Sequence, residues 1–501
     1  MARLDLFPRI CIALGFTDPD ALLAQAHREA EAGETFFEFR LDYLERPEQG
    51  ARLVKSFCQR HPDGAVLATC RRRANHGRFA GSLEEQYRVL EAAVKAGAAA
   101  AEVEIESAEA APARAEALRE RVRVMISYHN HEGTPALEPV LRRLTRLPAD
   151  AYKLVTTARK PSDNYRLVAL AKAHPRVPLV LLAMGEIGFP SRVLGLAYGG
   201  LHTYAAPAGA AGTAPGQVSA RCLRQLYRID KLAKTAKVYG VVARPVEHSL
   251  SPAVHNRAFQ SRRINAIYLP FLVPPTQLCD FFRLADELPL AGFSVTIPHK
   301  QRVLRHLDVV DPLARRIGAV NTVWRKAGRW RGANTDADGV RFPLERHLRL
   351  AGASILLVGN GGAARGAAFA LTAAGAKLSI VGRNPERVRA LARACGAEPL
   401  QRDHLASRNF DALVHATPLG MFPHVDECFF PDRIPAELVF DMVYNPLETL
   451  LVRRAREQGK QVIVGLEMFV EQAARQFEIW TGETAPRSAM ERAAREALAG
   501  R

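Results

Sequence analysis

The chain has 501 residues, more than the roughly 250–300 at which a single hydrophobic core usually stops growing, so its length predicts several domains. Hydrophobic residues make up 48% and charged residues 24%, the balance of a soluble globular protein, and no apolar run approaches the ~20 residues that cross a bilayer. The formal net charge of +17 is spread along the chain, and only 7% of residues are aromatic. This pattern favours a solvated basic surface first, an anionic substrate second and a nucleic-acid site last.

The cysteines and the N-terminal segment predict the compartment. The seven cysteines are scattered, with no Cys-x-x-Cys pair, which argues against disulfides and against structural zinc. The first residues, MARLDLFPRICIALG, lack the charged, apolar and small-residue order of a secretory signal. We therefore expect a soluble cytoplasmic protein with no metal, no membrane partner and no nucleic-acid partner.

Short β-rich runs alternate with longer amphipathic stretches through the first part of the chain. A helix is predicted at Asp18–Ala32, between a polar start and Gly33. Eight such strand–helix units fit an α/β fold of the (β/α)8 type, which usually takes about 250 residues and places its chemistry at the carboxyl ends of the strands. The predicted strands are Ile10–Gly15, Phe36–Asp42, Ala65–Cys70, Ala101–Glu106, Arg123–His129, Ala151–Thr157, Pro178–Met184 and Leu201–Ala205.

A second α/β region follows a basic stretch, 230–237, which is predicted to be a linker. Its first strand is expected at Lys237–Val242. Farther on, the apolar strand Ala353–Gly359 leads into a glycine-rich turn and a helix of small residues, Ala367–Ala374, and Lys377–Val381 is the next strand. Strand, glycine-rich turn, helix and strand in this order predict a dinucleotide-binding βαβ unit.

The glycine-rich turn and the end of the following strand predict the cofactor. Glycines let the backbone approach a pyrophosphate, which sits on N–H groups at the start of the helix. NAD sites usually carry an acid at the end of the second strand, whereas arginines there suit a 2′-phosphate, so NADP is expected. The alternative is that these are surface arginines of an Arg-rich chain. The residues assigned to the cofactor are Gly359, Asn360, Gly361, Gly362, Ala363, Arg383, Asn384 and Arg387.

Nearly all of residues 238–501 resembles shikimate dehydrogenase, through a series of motifs in the order of that family. The motifs are HSLSP from 248, SVTIPHK from 294, GAVNT from 318, NTD from 334, ATPLGM from 416, DMVYNP from 441, GLEM from 465 and WTG from 480. The resemblance implies a two-domain dehydrogenase that reduces the ketone of 3-dehydroshikimate with NADPH.

This resemblance assigns the chemistry to a lysine and a carboxylate. Lys300 and Asp336 match the catalytic pair of the family, and an ammonium held by a carboxylate can polarise a ketone and relay a proton to its oxygen. The positions that match substrate-binding residues are Ser249, Ser251, Thr296, Asn321, Tyr444 and Gln472. The positions that match cofactor-binding residues near the nicotinamide are Thr417, Met442 and Gly465.

Residues 1–225 resemble type I 3-dehydroquinate dehydratase, which removes water from 3-dehydroquinate through an imine with a lysine. Lys153, in YKLVTTA, matches that lysine, and partial desolvation in an apolar barrel strand favours the nucleophilic amine. His129, in ISYHN, matches the general acid/base, and Glu104 matches the carboxylate that orients it. The positions that match contacts to the substrate, or the loop that closes over it, are Glu38, Arg40, Arg71, Arg192, Thr213 and Gln217.

Three positions depart from the dehydratase pattern. Asn75-His76-Gly77 stands where the family usually carries Glu-Gly-Gly, which removes an active-site carboxylate. Glu102 stands where the family has Asp, and Thr213 replaces a serine and keeps a hydroxyl. The last two changes are conservative, whereas the first is expected to slow the dehydratase or alter its pH profile.

The two resemblances describe consecutive reactions, because dehydration of 3-dehydroquinate gives the ketone that the second half would reduce to shikimate. The predicted divisions are a barrel over 1–228, a linker over 229–237, a substrate-binding domain over 238–337 that 466–501 completes, and an NADP-binding Rossmann domain over 338–465. One alternative is a quinate/shikimate dehydrogenase with an impaired barrel. Another is a basic binding protein with inactive enzymatic folds, against which the retention of Lys300 and Asp336 argues. The sequence predicts no oligomeric state.

Overall fold

Eight parallel strands follow one another in the N-terminal half of the computed structural model, which describes residues 7–247, 249–288, 290–405 and 407–499. The strands are β1 (Ile10–Leu14), β2 (Phe36–Arg40), β3 (Ala65–Thr69), β4 (Ala100–Glu104), β5 (Arg123–His129), β6 (Ala151–Thr157), β7 (Leu179–Met184) and β8 (Thr203–Ala205). Each strand from β1 to β6 pairs with the next, and β1 also pairs with β8. The sheet closes where the N–H of Leu201 donates to the carbonyl oxygen of Leu179 at 2.8 Å. The predicted (β/α)8 barrel is confirmed.

Helices connect the barrel strands, and local signals fix where they begin and end. The Asp18 carboxylate caps the first helix by accepting from the N–H groups of Asp20 at 3.1 Å and Ala21 at 3.3 Å, and Gly33 follows its end at φ +95°. The helices are α1 (Pro19–Glu31), α2 (Gly50–Arg60), α3 (Leu83–Lys95), α4 (Ile105–Ala110), α5 (Pro112–Arg119), α6 (Leu137–Leu144), α7 (Asp163–Ala173) and α8 (Phe189–Ala197).

The inside of the barrel has an apolar level and a charged level. The apolar side chains that pack together inside include Cys11, Phe36, Leu67, Ala100, Met125, Ala151 and Val180. Glu38, Glu102 and Lys153 lie two residues farther along their strands than Phe36, Ala100 and Ala151, and alternation turns them inward as well. The filled apolar level leaves the charged level, toward the carboxyl ends of the strands, as the place where a ligand can bind.

A mixed six-stranded sheet begins the second half. Its elements are β9 (Lys237–Ala243), α9 (Ser251–Ser261), β10 (Ala266–Leu272), α10 (Leu278–Glu287), β11 (Leu290–Val295), β12 (Val309–Val310), α11 (Pro312–Ile317), β13 (Thr322–Lys326), β14 (Arg329–Ala333) and α12 (Asp336–Glu345). The strand order is β10-β9-β11-β13-β14-β12, and β11 runs parallel to β9 and antiparallel to β13. The end of β11 and the start of β13 therefore share an edge, where the N–H of Val320 donates to the carbonyl oxygen of Lys300 at 2.8 Å.

A parallel six-stranded sheet completes the chain. Its elements are β15 (Ser354–Val358), α13 (Gly362–Ala373), β16 (Lys377–Val381), α14 (Pro385–Cys395), β17 (Glu398–Pro399), β18 (Phe410–His415), β19 (Ala436–Asp441), α15 (Leu450–Glu457), β20 (Gln461–Ile463), α16 (Gly465–Thr481) and α17 (Arg487–Ala499). The strand order is β17-β16-β15-β18-β19-β20, the doubly wound arrangement of a dinucleotide-binding fold. The order reverses between β15 and β18, so a ligand crevice is expected at their carboxyl ends.

The elements differ from the sequence predictions mainly at their ends. Helix α13 begins at Gly362, inside the glycine-rich run, rather than at Ala367. The predicted linker carries a 3-10 turn at Ile229–Lys231. The chain divides into two compact units, Met1–Ala236 with Phe271–Leu288 and Lys237–Pro270 with Pro289–Arg501.

The segment Phe271–Leu288 groups with the first unit, although it falls within the predicted range 238–337. Hydrogen bonds explain this grouping: the Ser162 N–H and hydroxyl each donate to the Asp280 carboxylate at 2.8 Å. The Gln277 amide also donates to the carbonyl oxygen of Arg159 at 2.9 Å. Such contacts between side chains distant in sequence are not encoded in hydrophobic periodicity.

Within the described ranges, every helix is too short or too polar to cross a lipid bilayer. The same residues contain no group of three or more His, Cys, Asp or Glu side chains placed to hold a metal ion. All seven cysteines are free thiols.

Candidate active sites

A pocket opens at the carboxyl ends of the barrel strands. Its wall contains every residue that the sequence assigned to the dehydratase-like site except Glu104. These residues are Lys153, His129, Glu38, Arg40, Arg71, Arg192, Thr213 and Gln217. Cationic side chains outnumber anionic ones in the wall of the pocket.

Lys153 lies within a buried network of charges rather than in the wholly apolar surroundings that its strand suggested. Its ammonium donates to Glu102 Oε2 at 2.8 Å and lies 3.5 Å from Glu38 Oε1. The same ammonium is 3.9 Å from the centre of the Tyr204 ring, and Arg71 donates to Glu102 Oε1 at 2.6 Å. The side chains of Lys153 and Glu102 are 5% and 1% exposed, so the pairs are strongly shielded from water.

The charges in this network set the ionisation of its acids and bases. Burial raises the pKa of Glu102, but Lys153 and Arg71 outweigh it and hold that pKa well below the usual range. Burial, with the cationic Arg71 and Lys153, lowers the pKa of His129 well below its ordinary value. Near neutral pH the site therefore contains an ionised Glu102 and a neutral His129, which can accept a proton.

The structure corrects the expectation that Glu104 orients His129. Glu104 Oε1 accepts from the N–H of Arg72 at 2.7 Å, and Oε2 accepts from the Gln86 amide at 2.5 Å. Among the residues that the structure describes, no hydrogen bond joins Glu104 to His129. The reason is positional: Glu104 is the last residue of β4, so its side chain reaches the loop after β3 and α3 instead of the pocket. Glu102, two residues earlier, is the carboxylate that acts electrostatically on His129.

Two arginines of the pocket differ in how their charge is compensated. Arg40 makes a bidentate pair with Asp42, with Nε donating to Oδ1 at 2.9 Å and Nη2 to Oδ2 at 2.8 Å. Arg192 is 2% exposed and donates from Nη2 to the carbonyl oxygen of Pro215 at 3.0 Å. Within the described part of the chain its Nε and Nη1 have no partner, and burial lowers its pKa to about 10. A buried guanidinium without a carboxylate is suited to an anionic ligand.

The loop before the π-helical turn at Cys222–Leu226 supplies the remaining predicted residues of this pocket. Gln217 Oε1 accepts from the N–H of Ala214 at 3.3 Å and lies 3.5 Å from Thr213 Oγ1. These bonds fold the loop on itself beside Arg192. Thr213, which was one of the three departures, retains a hydroxyl at this position.

Four polar or aromatic residues of the pocket were not assigned to the site from the sequence: Tyr43, His76, His131 and Tyr204. Tyr204 lies on β8, and strand alternation could have predicted that its side chain points into the barrel. Tyr43 lies in the 3-10 turn Leu41–Tyr43, where the Arg78 guanidinium stacks on its ring at 3.8 Å. The two histidines come from loops, where no periodicity predicts the direction of a side chain.

The second unit contains a lysine–carboxylate pair of a different kind. The Lys300 ammonium donates to Asp336 Oδ2 at 2.6 Å, and the two side chains are 29% and 12% exposed. Asn321 donates from its amide to Asp336 Oδ1 at 2.8 Å. Asp336 is the first residue of α12, where the helix dipole favours a negative charge. The structure thus brings together Lys300, Asp336 and Asn321, as expected from the sequence.

A buried hydrogen-bond network holds Asn321 in place. Its Oδ1 accepts from the N–H of Thr335 and the hydroxyl of Thr322, both at 2.7 Å. Gln476, on α16, donates from its amide to the Asn321 carbonyl oxygen at 3.2 Å, and its own Oε1 accepts from Ser294 at 2.8 Å. Sequence reasoning missed Gln476 and Ser294, whose role is to fix the residues that the motifs identified.

The other predicted substrate residues lie on elements around this pair. Ser249 Oγ accepts from the N–H of Ser251 at 3.2 Å at the start of α9, and Thr296 follows the end of β11. Gln472 lies on α16, which packs against α12, and the Tyr444 ring is 5.1 Å from that of Phe469. Among the described residues, Ser251, Thr296 and Gln472 have no direct hydrogen bond to Lys300 or Asp336.

The glycine-rich turn has the shape that a pyrophosphate needs. Gly359 has φ +128°, and a Cβ there would lie 2.7 Å from the carbonyl oxygen of Ala416. A Cβ at Gly361 or Gly362 would meet nothing within 4 Å, so the approach to the start of α13 is open. No side chain caps this helix start within the described residues, and its N–H groups are available to an anion. Ala363 lies in this exposed first turn.

The residues assigned to the adenosine side lie at the end of β16. Arg383 and Arg387 are exposed, Asn384 caps α14 by accepting from the N–H of Arg387 at 3.0 Å, and Asn360 donates to the carbonyl oxygen of Asn384 at 3.2 Å. The two arginines therefore belong to a segment that lies next to the glycine-rich turn, and neither has a carboxylate partner among the described residues. This arrangement fits a ribose that carries a 2′-phosphate.

The residues assigned to the nicotinamide side lie at the ends of β18 and β19. The Thr417 hydroxyl is 2.5 Å from Nε2 of His415, whose Nδ1 is 2.9 Å from Asp441 Oδ1. Met442 follows Asp441 and is 9% exposed. A Cβ at Gly465 would lie 2.3 Å from the carbonyl oxygen of Val443, so only glycine fits there. His415 and Asp441 are a buried support for Thr417 that the motif alone did not reveal.

Comparison with known families agrees with these sites. The family model of type I 3-dehydroquinase matches residues 10–234. Models of the shikimate dehydrogenase substrate binding domain, of shikimate / quinate 5-dehydrogenase and of the shikimate 5'-dehydrogenase C-terminal domain match residues 241–323, 344–418 and 465–495, respectively.

Relatives cover both the whole chain and its second half. The bifunctional 3-dehydroquinate dehydratase/shikimate dehydrogenase of Arabidopsis thaliana, described as chloroplastic, is 34% identical over 503 residues, covering 95% of this chain and 83% of the relative. The shikimate dehydrogenase (NADP(+)) of Oleidesulfovibrio alaskensis is 40% identical over 257 residues, covering 50% of this chain and 91% of the relative. A crystal structure of shikimate dehydrogenase in complex with NADP+ aligns with a TM-score of 0.51 and 36% identity, covering 53% of this chain and 97% of the other. The chain therefore belongs to the family of bifunctional 3-dehydroquinate dehydratase/shikimate dehydrogenases.

Proposed function

We propose that the barrel converts 3-dehydroquinate to 3-dehydroshikimate through an imine on Lys153, and that the second unit reduces this product to shikimate with NADPH. The observation that carries the proposal is the presence of two lysine–carboxylate pairs, Lys153–Glu102 and Lys300–Asp336, each in the site where its chemistry is needed. In the first pair the lysine acts as a nucleophile, and in the second as a proton donor.

In the dehydratase reaction, the Lys153 ammonium first loses a proton and its nitrogen then attacks the ketone carbon. The carboxylates of Glu102 and Glu38 lie at 2.8 and 3.5 Å and can accept that proton. This proton and a second one from the attacking nitrogen pass to the ketone oxygen, which leaves as water when the iminium forms. The substrate carboxylate fits Arg192, whose guanidinium lacks an anionic partner among the described residues.

The neutral imidazole of His129 then acts as the general base. It takes a proton from the carbon next to the iminium, and the resulting enamine expels the hydroxyl group at the neighbouring carbon. The proton on His129 passes to that hydroxyl, which leaves as water. Addition of water to the iminium finally releases 3-dehydroshikimate and restores Lys153, so atoms and protons balance over the cycle.

The second reaction uses the chain's own residues to position and protonate the ketone. Bound NADPH supplies the hydride. Asp336 holds the Lys300 ammonium at 2.6 Å, and Asn321 fixes the second oxygen of that carboxylate. The ammonium can donate a proton to the ketone oxygen as negative charge develops there. Ser249, Ser251 and the other predicted substrate residues are proposed to hold the carboxylate and hydroxyls of the ring.

The glycine-rich turn is proposed to hold the cofactor, since its geometry fits a pyrophosphate. Arg383 and Arg387 would bind the 2′-phosphate, and Thr417, Met442 and Gly465 would border the nicotinamide. The divisions 1–228, 229–237, 238–337 with 466–501, and 338–465 remain our proposed domain boundaries. Free thiols at all seven cysteines support the proposed cytoplasmic location.

A one-pot assay tests the proposal. The intact chain is mixed with 3-dehydroquinate and NADPH, cofactor oxidation is followed by absorbance, and products are resolved by chromatography. Formation of shikimate with loss of NADPH is the expected result. Turnover of 3-dehydroshikimate but not of 3-dehydroquinate would favour instead a dehydrogenase with an impaired barrel, which the Asn75 departure makes the second candidate.

A further inference from the structure

Two imidazoles without an assigned role, those of His76 and His131, lie in the wall of the barrel pocket. Their ring centroids are 4.1 Å apart, and the His131 ring lies 6.5 Å from that of His129, nearly parallel to it at 26°. His76 comes from the loop after β3, and His131 follows the end of β5. The pocket therefore contains a row of three imidazoles that begins at the general base and ends at the exposed His76.

The spacing of the row suits proton transfer. Two hydrogen bonds through one bridging oxygen span about 5 Å between ring nitrogens, which is compatible with rings whose centroids are 6.5 Å apart. A water molecule or a hydroxyl of the substrate can therefore link His129 to His131. The rings of His131 and His76 are in contact, with no hydrogen bond between their nitrogens among the described residues. A proton can therefore pass from this pair to the surface only through water beside the exposed His76.

The His131 side chain lacks, among the described residues, the hydrogen bonds that a purely structural histidine would have. Its Nε2 is shielded and has no hydrogen-bond partner in the part of the chain that the structure describes. Its main chain is held by Arg159, whose guanidinium donates to the carbonyl oxygens of His131 at 3.3 Å and Glu132 at 2.7 Å. A structural imidazole usually has its nitrogens paired, because a buried polar atom without a partner destabilises the fold.

The backbone at His76 gives an independent indication. His76 has φ +60°, a left-handed conformation that glycine adopts without strain, and it stands where the dehydratase pattern carries glycine. A side chain is therefore retained at a position where a glycine would be less strained. The neighbouring Asn75 stands where the pattern carries the carboxylate, so the same loop has lost an acid and gained an imidazole.

The charges around His131 keep it neutral. The groups that face it are Arg71 and His76 from the loop after β3, His129 from β5, and Arg159 from the segment after β6. Burial, together with His76 and Arg71, lowers the pKa of His131. Near neutral pH its ring can accept a proton and pass it on.

We propose that His131, paired with His76, carries protons between His129 and solvent in the dehydratase reaction. The relay forms no covalent bond and needs no co-reactant. One proton leaves the His129 imidazolium for His131 while His131 releases one to water beside His76, and the reverse transfer returns a proton to His129 for the departing hydroxyl. This inference rests on the dehydratase function proposed above.

The variant His131→Phe, which keeps an aromatic ring and removes both nitrogens, tests the relay. We expect its dehydratase kcat to fall about tenfold or more, within the range for loss of a proton-transfer group. The acid limb of its pH profile should become shallower, because one fewer imidazole must be neutral. In D2O, deuterium should enter the carbon next to the ketone of recovered 3-dehydroquinate more slowly relative to dehydration. His76→Gly should show the same changes to a smaller degree.

The matched control is His61→Phe. His61 and His27 form another histidine pair in the barrel, with ring centroids 5.0 Å apart and their nearest nitrogens at 2.8 Å, but neither lines the pocket. This variant should retain the dehydratase rate and pH profile of the unaltered chain. Shikimate dehydrogenase activity of the same molecules reports that each variant is folded in its second unit.

Two outcomes separate failure of the relay from failure of the dehydratase assignment. Borohydride reduction with 3-dehydroquinate should trap an adduct on Lys153 in the unaltered chain and in His131→Phe, because the relay is not needed to form the imine nitrogen–carbon bond. Absence of the adduct in the unaltered chain would overturn the proposed function itself. An adduct together with an unchanged rate, pH profile and deuterium ratio in His131→Phe would overturn the relay. If His131→Phe does not fold, added imidazole should restore turnover of His131→Ala, and absence of rescue would contradict the relay.

Discussion

The two lysine–carboxylate pairs differ in how much charge and water surround them. The Lys153 and Glu102 side chains are 5% and 1% exposed and share their network with Glu38 and Arg71. The Lys300 and Asp336 side chains are 29% and 12% exposed, and a neutral amide, that of Asn321, completes the site. A lysine that must lose its proton and form a covalent bond is thus buried among acceptors. A lysine that must donate a proton repeatedly is kept near solvent, where it can be recharged.

The largest effects are expected when each lysine is removed in turn. Lys153→Met removes the nucleophile and should lower dehydratase turnover by at least about 10⁴-fold, with no borohydride-trapped adduct. Lys300→Met removes a proton donor and should lower dehydrogenase turnover by about 10²–10⁴-fold. Each variant should retain the other activity, measured with 3-dehydroshikimate or 3-dehydroquinate supplied separately. Loss of both activities from either change would contradict the division of roles between the two sites.

Replacing the carboxylate of each pair should have different effects: the change at Glu102 should mainly lower stability, and the change at Asp336 should mainly lower turnover. Glu102→Gln leaves two buried cations with only Glu38 nearby and should lower the free energy of unfolding by about 3 kcal/mol, measured by urea denaturation. Asp336→Asn leaves a half-buried ammonium that water can solvate. It should lower dehydrogenase kcat by about 10–100-fold with less than about 1 kcal/mol of destabilisation. Equal destabilisation by the two changes would show that the difference in burial has no energetic consequence.

A third prediction concerns cofactor choice in the second unit, for which the barrel provides the internal reference. Arg383→Ser with Arg387→Ser removes both guanidiniums beside the glycine-rich turn and should raise the KM for NADPH by about 10–100-fold, since each charge-assisted contact contributes roughly 1.5–3 kcal/mol. The KM for NADH should change little, because NADH has no 2′-phosphate. Steady-state kinetics with both cofactors measure the ratio, and dehydratase activity should stay constant. A parallel rise in both KM values would mean that the arginines do not contact the 2′-phosphate.

The smallest expected effect is a difference in acid stability. Burial lowers the pKa of His202, inside the barrel, to about 3, and neither of its ring nitrogens has a partner among the described residues. Its ordinary value is about 6.5, so the unfolded chain binds a proton first as the pH falls below that value. Stability present above about pH 6.5 is therefore lost on acidification, by about 1.4 kcal/mol per pH unit, until the pH reaches the folded-state pKa.

His202→Leu should remove this dependence, so that between pH 7 and pH 5 the barrel loses about 2 kcal/mol less stability than in the unaltered chain. Urea unfolding followed by circular dichroism measures the effect. All three tryptophans, Trp324, Trp330 and Trp480, lie in the second unit, so their fluorescence gives an independent reference in the same sample. An unchanged pH dependence would mean that His202 is not neutral in the folded barrel.

Most of the fold could be predicted because its signals are local and repeated. Strand runs such as Arg123–His129 and Ala151–Thr157 were predicted with the bounds that the structure has. Lys153, which was expected to be partly desolvated in its apolar strand, is buried in the structure. The start of α13 was less predictable, since glycine has a low helix propensity and only the phosphate-binding geometry requires the helix to begin at Gly362.

Site residues could be predicted where they belong to a family motif. They could not be predicted where the side chain has several possible hydrogen-bond partners in the folded protein. Lys300 and Asp336 come together as their motifs suggest. Glu104 is two residues after Glu102, so alternation predicts the same side of the strand for both. At the end of its strand, however, Glu104 accepts hydrogen bonds from Gln86 and the N–H of Arg72 and has none with His129 among the described residues. His131 lies beyond the end of a strand, where neither strand alternation nor a family motif predicts the direction of its side chain. Side-chain directions at such positions depend on contacts between distant segments, which a single sequence does not display.

The guanidinium of Arg192, which has no carboxylate partner among the described residues, has a consequence for selectivity. A pocket that contains a buried cation without its own anion favours any ligand that brings a carboxylate, so small organic acids should act as weak competitive inhibitors of the dehydratase. An ester of 3-dehydroquinate would instead leave this cation without a counter-charge and would bind poorly for that reason alone. Discrimination between the free acid and its neutral analogues thus follows from the charge of the buried Arg192 side chain, which a ligand carboxylate neutralises.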